Sequence, residues 1–378
     1  MSSSSPIPLL DLESEYRELR GEIDAAIART LDTRQFILGA EVAAFERDFA
    51  GYCGVKYAIG VNSGTSALHL ALRAAGVSAG DEVITAPFTF YATVAAIGYC
   101  GGKAVYADID PQTFNLDPTR IEALITPRTR AILPIHLYGQ PADMDAILDV
   151  ARRHNLAVIE DAAQAHAATW NGRRVGSLGD LGCYSFYPTK NLGAAGEGGM
   201  VTTNNPEFAR TVRMLRDWGQ EQKYRPVLAG FNYRMEGLQG AILRTKLPHL
   251  ERWTEARRAG AAHYDRLLRA HGIEPPAADP RARHVYHLYT IRVRQRDQVQ
   301  RQLGEAGIQT AIHYPMPLHL LPAYADPRYK AGDFPEAESA SSRVLSLPMN
   351  PWLTPSQIER SAEALAAACR SAVCDNAL

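Results

Sequence analysis

Three short segments of this 378-residue chain hold residues that could do chemistry. The first is VIEDAAQAH, residues 158–166. An apolar strand there would deliver Glu160 and Asp161 at its carboxyl end, where open α/β sheets hold their ligands. Such an acid can bind a metal, act as a base, pair with a cationic ring nitrogen, or simply cap a helix. The second is SFYPTKNLGAAGEGG, residues 185–199. Its one lysine, Lys190, lies between an apolar run and Gly193, Gly196, Gly198 and Gly199. A lysine in a partly desolvated pocket has its charged form disfavoured. It can then act as an amine nucleophile and form a Schiff base. An isolated lysine is ordinarily a solvated charge, but the flanking aromatics and glycines suggest close packing around a bound ring. The third is VNSGTSALHLAL, residues 61–72. A strand, then Ser63-Gly64-Thr65-Ser66, then an apolar helix leaves N–H groups and hydroxyls at a helix N-terminus. That arrangement is either a phosphate site or an ordinary cap. The GxxxxGK[ST] loop and the GxGxxG fingerprint are both absent.

Together the three segments match one cofactor. A phosphate cradle, a carboxylate for a pyridinium nitrogen and a lysine to hold an aldehyde are what pyridoxal 5'-phosphate requires. The lysine, once displaced from the aldehyde, can shuttle a proton between the substrate carbon and the cofactor carbon.

The elements that must position these residues follow from hydrophobic periodicity. Helical patterns cover residues 13–29 and 40–52. From residue 57 short apolar strands (57–62, 82–86, 103–107, 130–135, 156–160) alternate with helices (63–75, 89–100, 118–125, 142–154). This alternation implies parallel strands buried by helices on both faces. Strands are expected at 182–186 and 200–203, a helix at 207–218, and one or two helices over 235–270 with a break near Pro248. Beyond about residue 250 the alternation stops. Strands at 286–293 and 309–313, with helices at 297–306, 336–344 and 355–372, suggest a smaller α+β domain. The expected fold class is therefore α/β: a large domain over residues 1–250 with a mainly parallel sheet, and a small domain over 251–378. Residues 1 to about 12 read as a flexible arm.

Composition narrows the function classes. Forty Lys+Arg against 41 Asp+Glu, a net charge of -1, gives no electrostatic footprint for nucleic acid or an anionic membrane. No run of ~18 apolar residues is present. Weak self-repulsion makes a specific oligomer plausible. Five cysteines without a CxxC pair argue against a disulfide framework or structural zinc and for a reducing cytoplasm. Cys100 and Cys183 read as small buried hydrophobes. The N-terminus lacks the basic and apolar regions of a signal peptide.

In order, SGTSAL, EDAAQAH, SFYPTKNLG and GFNYRMEGLQGAIL resemble the DegT/DnrJ/EryC1/StrS family of sugar aminotransferases, fold-type I enzymes of the aspartate aminotransferase superfamily. The resemblance runs from PLLDLESEY at residue 8 to SLPMNPWLT at residues 346–354. It implies that Lys190 bonds to the cofactor aldehyde and that Asp161, 29 residues upstream, pairs with the ring nitrogen. It implies that Gln164 bonds the ring hydroxyl and that Phe90, in APFTFYAT, stacks on the ring. Gly64, Thr65, Ser66 and Ser185 would hold the phosphate. Asn232 would reach it from a neighbouring subunit, which requires a homodimer with shared sites.

HLYGQPADMD (136–145) and HYPMPLHLLPAY (313–324) resemble the branch that aminates nucleotide-linked 3-keto-6-deoxysugars. The resemblance puts Tyr187, His313, Tyr314, His319 and, at a subunit interface, Arg234 on the substrate side. It also implies glutamate as amino donor, leaving as 2-oxoglutarate. His313 could equally be a satisfied histidine at a strand end. Much of that branch reads NSRLDELQ where this chain reads NYRMEGLQ, and NYR is common among 4-keto-sugar aminotransferases. The branch also tends to carry Gly where Thr189 stands and Asp where Glu197 stands. Amination at C3 or at C4 therefore stays open.

Overall fold

The computed structural model describes residues 5–374. Among these, seven short strands form one sheet: β1 (Tyr57–Val61), β2 (Glu82–Thr85), β3 (Lys103–Tyr106), β4 (Thr129–Ile132), β5 (Ala157–Asp161), β6 (Leu181–Ser185) and β7 (Gly199–Thr203). Their spatial order is β1-β7-β6-β5-β4-β2-β3. The β6-β5-β4-β2-β3 run is parallel, and β7 is antiparallel to both its neighbours. Ile59, Val83, Ile84, Ala131, Ile132, Ile159 and Leu181 have no exposed surface. Such continuous apolar strands are what a sheet covered on both faces requires.

Helices cross between the strands. The first two, α1 (Leu12–Thr33) and α2 (Gly39–Cys53), precede the sheet, and α3 (Gly64–Ala74) follows β1. Ser63 caps α3 by accepting the Ser66 amide at 3.1 Å, and residues 66–72 of the helix are all buried. The next crossovers are α4 (Ala92–Tyr99) and α5 (Met144–His154). Asp143 starts α5 and Asn155, in the left-handed region, ends it. After β7 come α6 (Pro206–Arg216), α7 (Gly237–Lys246) and α8 (Leu250–Ala270), with the expected break at Pro248 taking the form of a 3₁₀ turn.

Other segments of the chain bond to the sheet at both of its edges, which hinders edge-to-edge pairing. The chain beyond β1 pairs with residues 232–234, the Asn62 amide donating to Tyr233 O at 2.9 Å. At the other edge the Tyr106 amide donates to the Tyr329 hydroxyl at 3.2 Å, and Arg328 reaches Ala104 O at 2.9 Å.

A second core gathers Tyr264, Tyr289, Ile291, Leu303, Leu345, Leu347, Ile358 and Leu365. Helices α9 (Arg296–Glu305) and α11 (Pro355–Cys374) pack around the antiparallel pair Tyr289–Arg292 and Val344–Leu347.

Several expectations change. Of the flexible arm, residues 1–4 lie outside the described residues. The rest is docked: Ile7 is fully buried in the second core, and its amide donates to Gly307 O at 2.8 Å. Residues 118–125 form two 3₁₀ turns rather than one helix, because Ile121 is the only buried side chain there. Residues 309–313 contribute a single bridge, Ala311 to Ser346, instead of a strand. Helix α10 (Pro335–Arg343) stops before Val344, which begins a strand whose apolar residues suit either period.

Candidate active site

The carboxyl ends of β1, β2, β4, β5 and β6 open into one cavity of about 410 Å³. Its lining includes Gly64, Thr65, Phe90, Asp161, Gln164, Ser185, Tyr187, Lys190, His313 and Tyr314. Residues spread over 250 positions of sequence meet there, most of them just after a strand end, while His313 and Tyr314 come from the segment bridged to Ser346.

Strand β5 ends in two adjacent carboxylates with different surroundings. Glu160 is fully buried and accepts four bonds: His136 Nε2 at 2.9 Å and the amides of Gly176, Leu178 and Gly179 at 2.7, 2.8 and 2.7 Å. It is a structural hub that ties β5 to the chain entering β6. Asp161 points the other way, into the cavity. Its Oδ2 accepts from the Thr93 hydroxyl at 3.0 Å and its Oδ1 from the Ala163 amide at 3.2 Å. Burial raises its pKa, and those two bonds together with Lys190 and His136 oppose the rise.

Lys190 sits in the turn after β6, its amide donating to Tyr187 O at 2.9 Å. Burial lowers the pKa of its amine to about 8, with Asp161 pulling the other way. The amine is therefore substantially neutral near pH 8 and available as a nucleophile. The next residue, Asn191, anchors the turn: its Nδ2 donates to Val285 O at 3.2 Å and its Oδ1 lies 3.2 Å from His287 Nδ1. Gly193 is required at its position, because a Cβ there would lie 2.3 Å from Pro188 O.

The N-terminus of α3 fits a phosphate. Ser63 takes up the Ser66 amide through its hydroxyl and the Ala67 amide through its carbonyl, leaving the Gly64 and Thr65 amides at the open end of the helix. A Cβ on Gly64 would lie 2.6 Å from Cβ of Ser185, so only glycine lets helix and strand close into a cradle. An aspartate, an amine of lowered pKa and an anion cradle on one cavity are the donor set that pyridoxal 5'-phosphate requires.

The aromatic residues form the remaining wall. Phe90, partly exposed, has its ring 5.9 Å from that of Tyr314. Gln164 Oε1 accepts the Tyr138 amide at 2.6 Å, while Nε2 donates to the Tyr314 hydroxyl at 3.1 Å. Tyr187 is half-exposed at the rim. The Tyr138 hydroxyl donates to the His313 carbonyl. Burial pushes the His313 imidazole down to about 4, with Lys190 adding to the effect.

Four expected site residues lie elsewhere. The Ser66 hydroxyl is taken up locally, donating to Asn62 Oδ1 at 2.7 Å, and does not line the cavity. His319 is buried against Phe334 with Nε2 3.0 Å from Glu338 Oε1, so it supports a loop and does not line the cavity. Asn232 and Arg234 lie along the outer edge beside β1. There Asn232 Oδ1 accepts from Arg234 at 2.8 and 3.2 Å, and Arg234 pairs with Asp217 at 3.3 Å. On one chain neither residue lines this cavity.

The sequence reading missed Thr93, Tyr138 and His287. Thr93 could have been found, as it lies one helical turn beyond Phe90. Nothing local to Tyr138 or His287 marks them.

Among the described residues no helix is long and apolar enough to cross a membrane. The pattern of the DegT/DnrJ/EryC1/StrS aminotransferase family matches residues 17–366. The chain is 50% identical over 95% of its length to a pleiotropic regulatory protein of Geobacillus stearothermophilus, covering 98% of that protein. It is 47% identical to the dTDP-3-amino-3,4,6-trideoxy-alpha-D-glucose transaminase of Streptomyces venezuelae, over 95% of each chain. The solved structure of S. venezuelae DesV in complex with a ketimine intermediate superposes with a TM-score of 0.94 at 46% identity, over 96% of this chain and 98% of that one.

Proposed function

Because the chain belongs to the DegT/DnrJ/EryC1/StrS aminotransferase family, we propose that it moves an amino group from glutamate to a nucleotide-linked 3-keto-6-deoxyhexose, a dTDP-sugar in the first instance. At the coarser level it is a pyridoxal 5'-phosphate-dependent sugar aminotransferase acting on keto-sugars. The observation that carries the finer reading is the meeting of Lys190, Asp161 and the Gly64–Ser185 cradle with His313 and Tyr314 on a single cavity.

When bound, the cofactor supplies an electron sink for negative charge developing at the substrate carbon. The protein does the rest. Gly64, Thr65 and Ser185 hold the phosphate. Asp161, which accepts bonds from Thr93 and Ala163, would hold a proton on the ring nitrogen. Gln164 bonds the ring hydroxyl and Phe90 covers the ring. Lys190 would hold the aldehyde and, when free of it, would move the proton between substrate carbon and cofactor carbon. Tyr187, His313 and Tyr314 face the sugar.

Asn232 and Arg234 enter this reading from a second copy. The reading includes a homodimer in which each cavity is completed by the partner's edge segment. Location in the cytoplasm is part of the same reading, supported by buried free thiols at Cys53, Cys100 and Cys183.

The test is a panel of dTDP-, UDP- and GDP-linked 3-keto and 4-keto sugars with glutamate, scored by the mass and position of the new amine. Products aminated only at C4 would discard the 3-keto assignment and favour the alternative suggested by Asn232-Tyr233-Arg234. A cofactor spectrum unmoved by glutamate would instead favour a non-catalytic regulator. Turnover by Lys190→Ala would sink the mechanism.

A further inference from the structure

The groups behind His313 determine what its ring offers to the cavity. From them we infer that Ser346 and Thr290 position His313 to donate a hydrogen bond from Nε2 to an acceptor oxygen of the sugar substrate. The inference rests on the substrate reading given above.

Ser346 is held from both sides. It stands opposite Thr290 in the pair of strands Tyr289–Arg292 and Val344–Leu347. On its other side it exchanges both main-chain hydrogen bonds with Ala311, at 2.8 and 3.2 Å. Its side chain is fully buried, and Thr290 is only 1% exposed. The Ser346 hydroxyl is therefore a fixed point. It lies 2.9 Å from Thr290 Oγ1 and 2.9 Å from His313 Nδ1. With Nδ1 occupied, Nε2 is the ring nitrogen left for the cavity that His313 lines. The Tyr138 hydroxyl, bonded to the His313 carbonyl, steadies the same residue from the opposite side.

A neutral imidazole carries one proton, and two arrangements of this chain are possible. In one, Thr290 donates to Ser346, Ser346 donates to Nδ1, and the ring proton sits on Nε2. In the other, Nδ1 donates to Ser346, so the Ser346 and Thr290 hydroxyls share one remaining contact, and whichever of them does not donate along it has a proton that needs a further acceptor. Among the described residues the Thr290 hydroxyl has Ser346 as its one hydrogen-bond partner. The second arrangement thus strands a buried donor, whereas the first leaves only lone pairs unused. A stranded buried donor is the costlier state. The proton therefore belongs on Nε2, and His313 presents a neutral N–H to the cavity. Such a group suits a carbonyl, hydroxyl or phosphate oxygen. It adds no positive charge beside Lys190, whose neutral form the mechanism uses.

Two-bond ¹H–¹⁵N correlation spectra of the holoenzyme labelled with ¹⁵N-histidine read the tautomer directly, with His313 identified by its loss in His313→Gln. The expected result is a proton on Nε2, retained in Thr290→Val because Ser346 can still donate. In Ser346→Ala a mixture of tautomers is expected. The same variant should raise KM for the keto-sugar about tenfold, the effect of losing one oriented hydrogen bond. The rate at which glutamate alone changes the cofactor spectrum should stay as it was. A proton on Nδ1 in the unmodified holoenzyme overturns the positioning role, whatever the activity. So does a fall in the glutamate half-reaction of Ser346→Ala that matches the sugar half. Failure to aminate any keto-sugar overturns the assigned activity, whatever the tautomer.

Discussion

The Thr93 hydroxyl donates to Oδ2 of Asp161 across 3.0 Å, so helix α4 orients a carboxylate delivered by strand β5. Burial works against the charged form of Asp161, and Thr93 is one of the groups opposing it. Thr93→Val keeps the shape and removes the donor. Hydrogen bonds to charged groups are worth about 1.5–3 kcal/mol. Titration of the apoenzyme with pyridoxal 5'-phosphate should show binding weaker by about tenfold or more. Unchanged affinity would mean that Asp161 stays anionic without this bond.

The buried Lys190 amine makes the stability of the cofactor-free enzyme depend on pH. Its pKa falls to about 8 in the folded protein from an ordinary value of 10.5. Between those values the unfolded chain binds the extra proton, so stability rises with pH through this window and is flat below it. Lys190→Met removes the term. The stability advantage of Lys190→Met over the unmodified apoenzyme should be greatest below pH ~8 and shrink by about 3 kcal/mol towards pH ~10.5. Parallel stability-pH curves for the two proteins would contradict it.

Glu160 and Asp161 are neighbours with opposite duties. The four donors around Glu160 leave no place for an amide NH₂. Glu160→Gln should therefore destabilise the fold by about 2 kcal/mol or more, seen as a lower unfolding temperature. Folded Glu160→Gln should still bind the cofactor with the unmodified spectrum, which Asp161→Asn should not.

Gly64 approaches Ser185 too closely for any side chain. In Gly64→Ala the helix start must move away from β6, an overpacking strain of about 1–3 kcal/mol. The cradle then opens. Affinity for pyridoxal 5'-phosphate should fall about tenfold to a hundredfold, and fluorescence titration will read it.

The proposed sharing of each cavity between two copies makes a prediction about mixed dimers. Lys190→Ala disables the cavity of its own chain. Asn232→Asp, placing a charge against the phosphate, disables the cavity of the partner. Each variant alone should be inactive. Co-refolded in equal amounts, the two should recover about a quarter of the unmodified activity, because half the dimers form and each holds one intact site. No recovery would assign both residues to one cavity per chain.

Much of the fold was legible because its signals are local. Strand–helix alternation over residues 57–161 marks a parallel sheet wherever its strands finally pair, and the structure keeps nearly every one of those elements. Signals failed where a short apolar run fits either period. Residues 344–347 form a strand where a helix end was expected, and 309–313 keep one bridge because a strand needs a neighbour to continue it. The arm around Ile7 looked free because its partners, Gly307 and Gln309, are some 300 residues away.

The sequence by itself determined the Lys190 turn, the Gly64 cradle and the carboxylates of β5. Each is built from contiguous residues whose backbone requirements are written locally, such as the glycines that a close approach demands. Residue chemistry alone left Glu160 and Asp161 alike; the family resemblance named Asp161, and the tertiary structure is what turns Asp161 and not Glu160 towards the cavity. Successive residues of a strand point to opposite faces, and which face holds the cavity depends on what packs there. The tertiary structure also kept Ser66 and His319 out of the cavity lining, set Asn232 on an outer edge, and placed Ser346 and Thr290 behind His313. Those two contacts join residues 33 and 56 positions apart. Contacts of that range form when buried polar groups must find partners in the folded chain, and no local pattern encodes the partner.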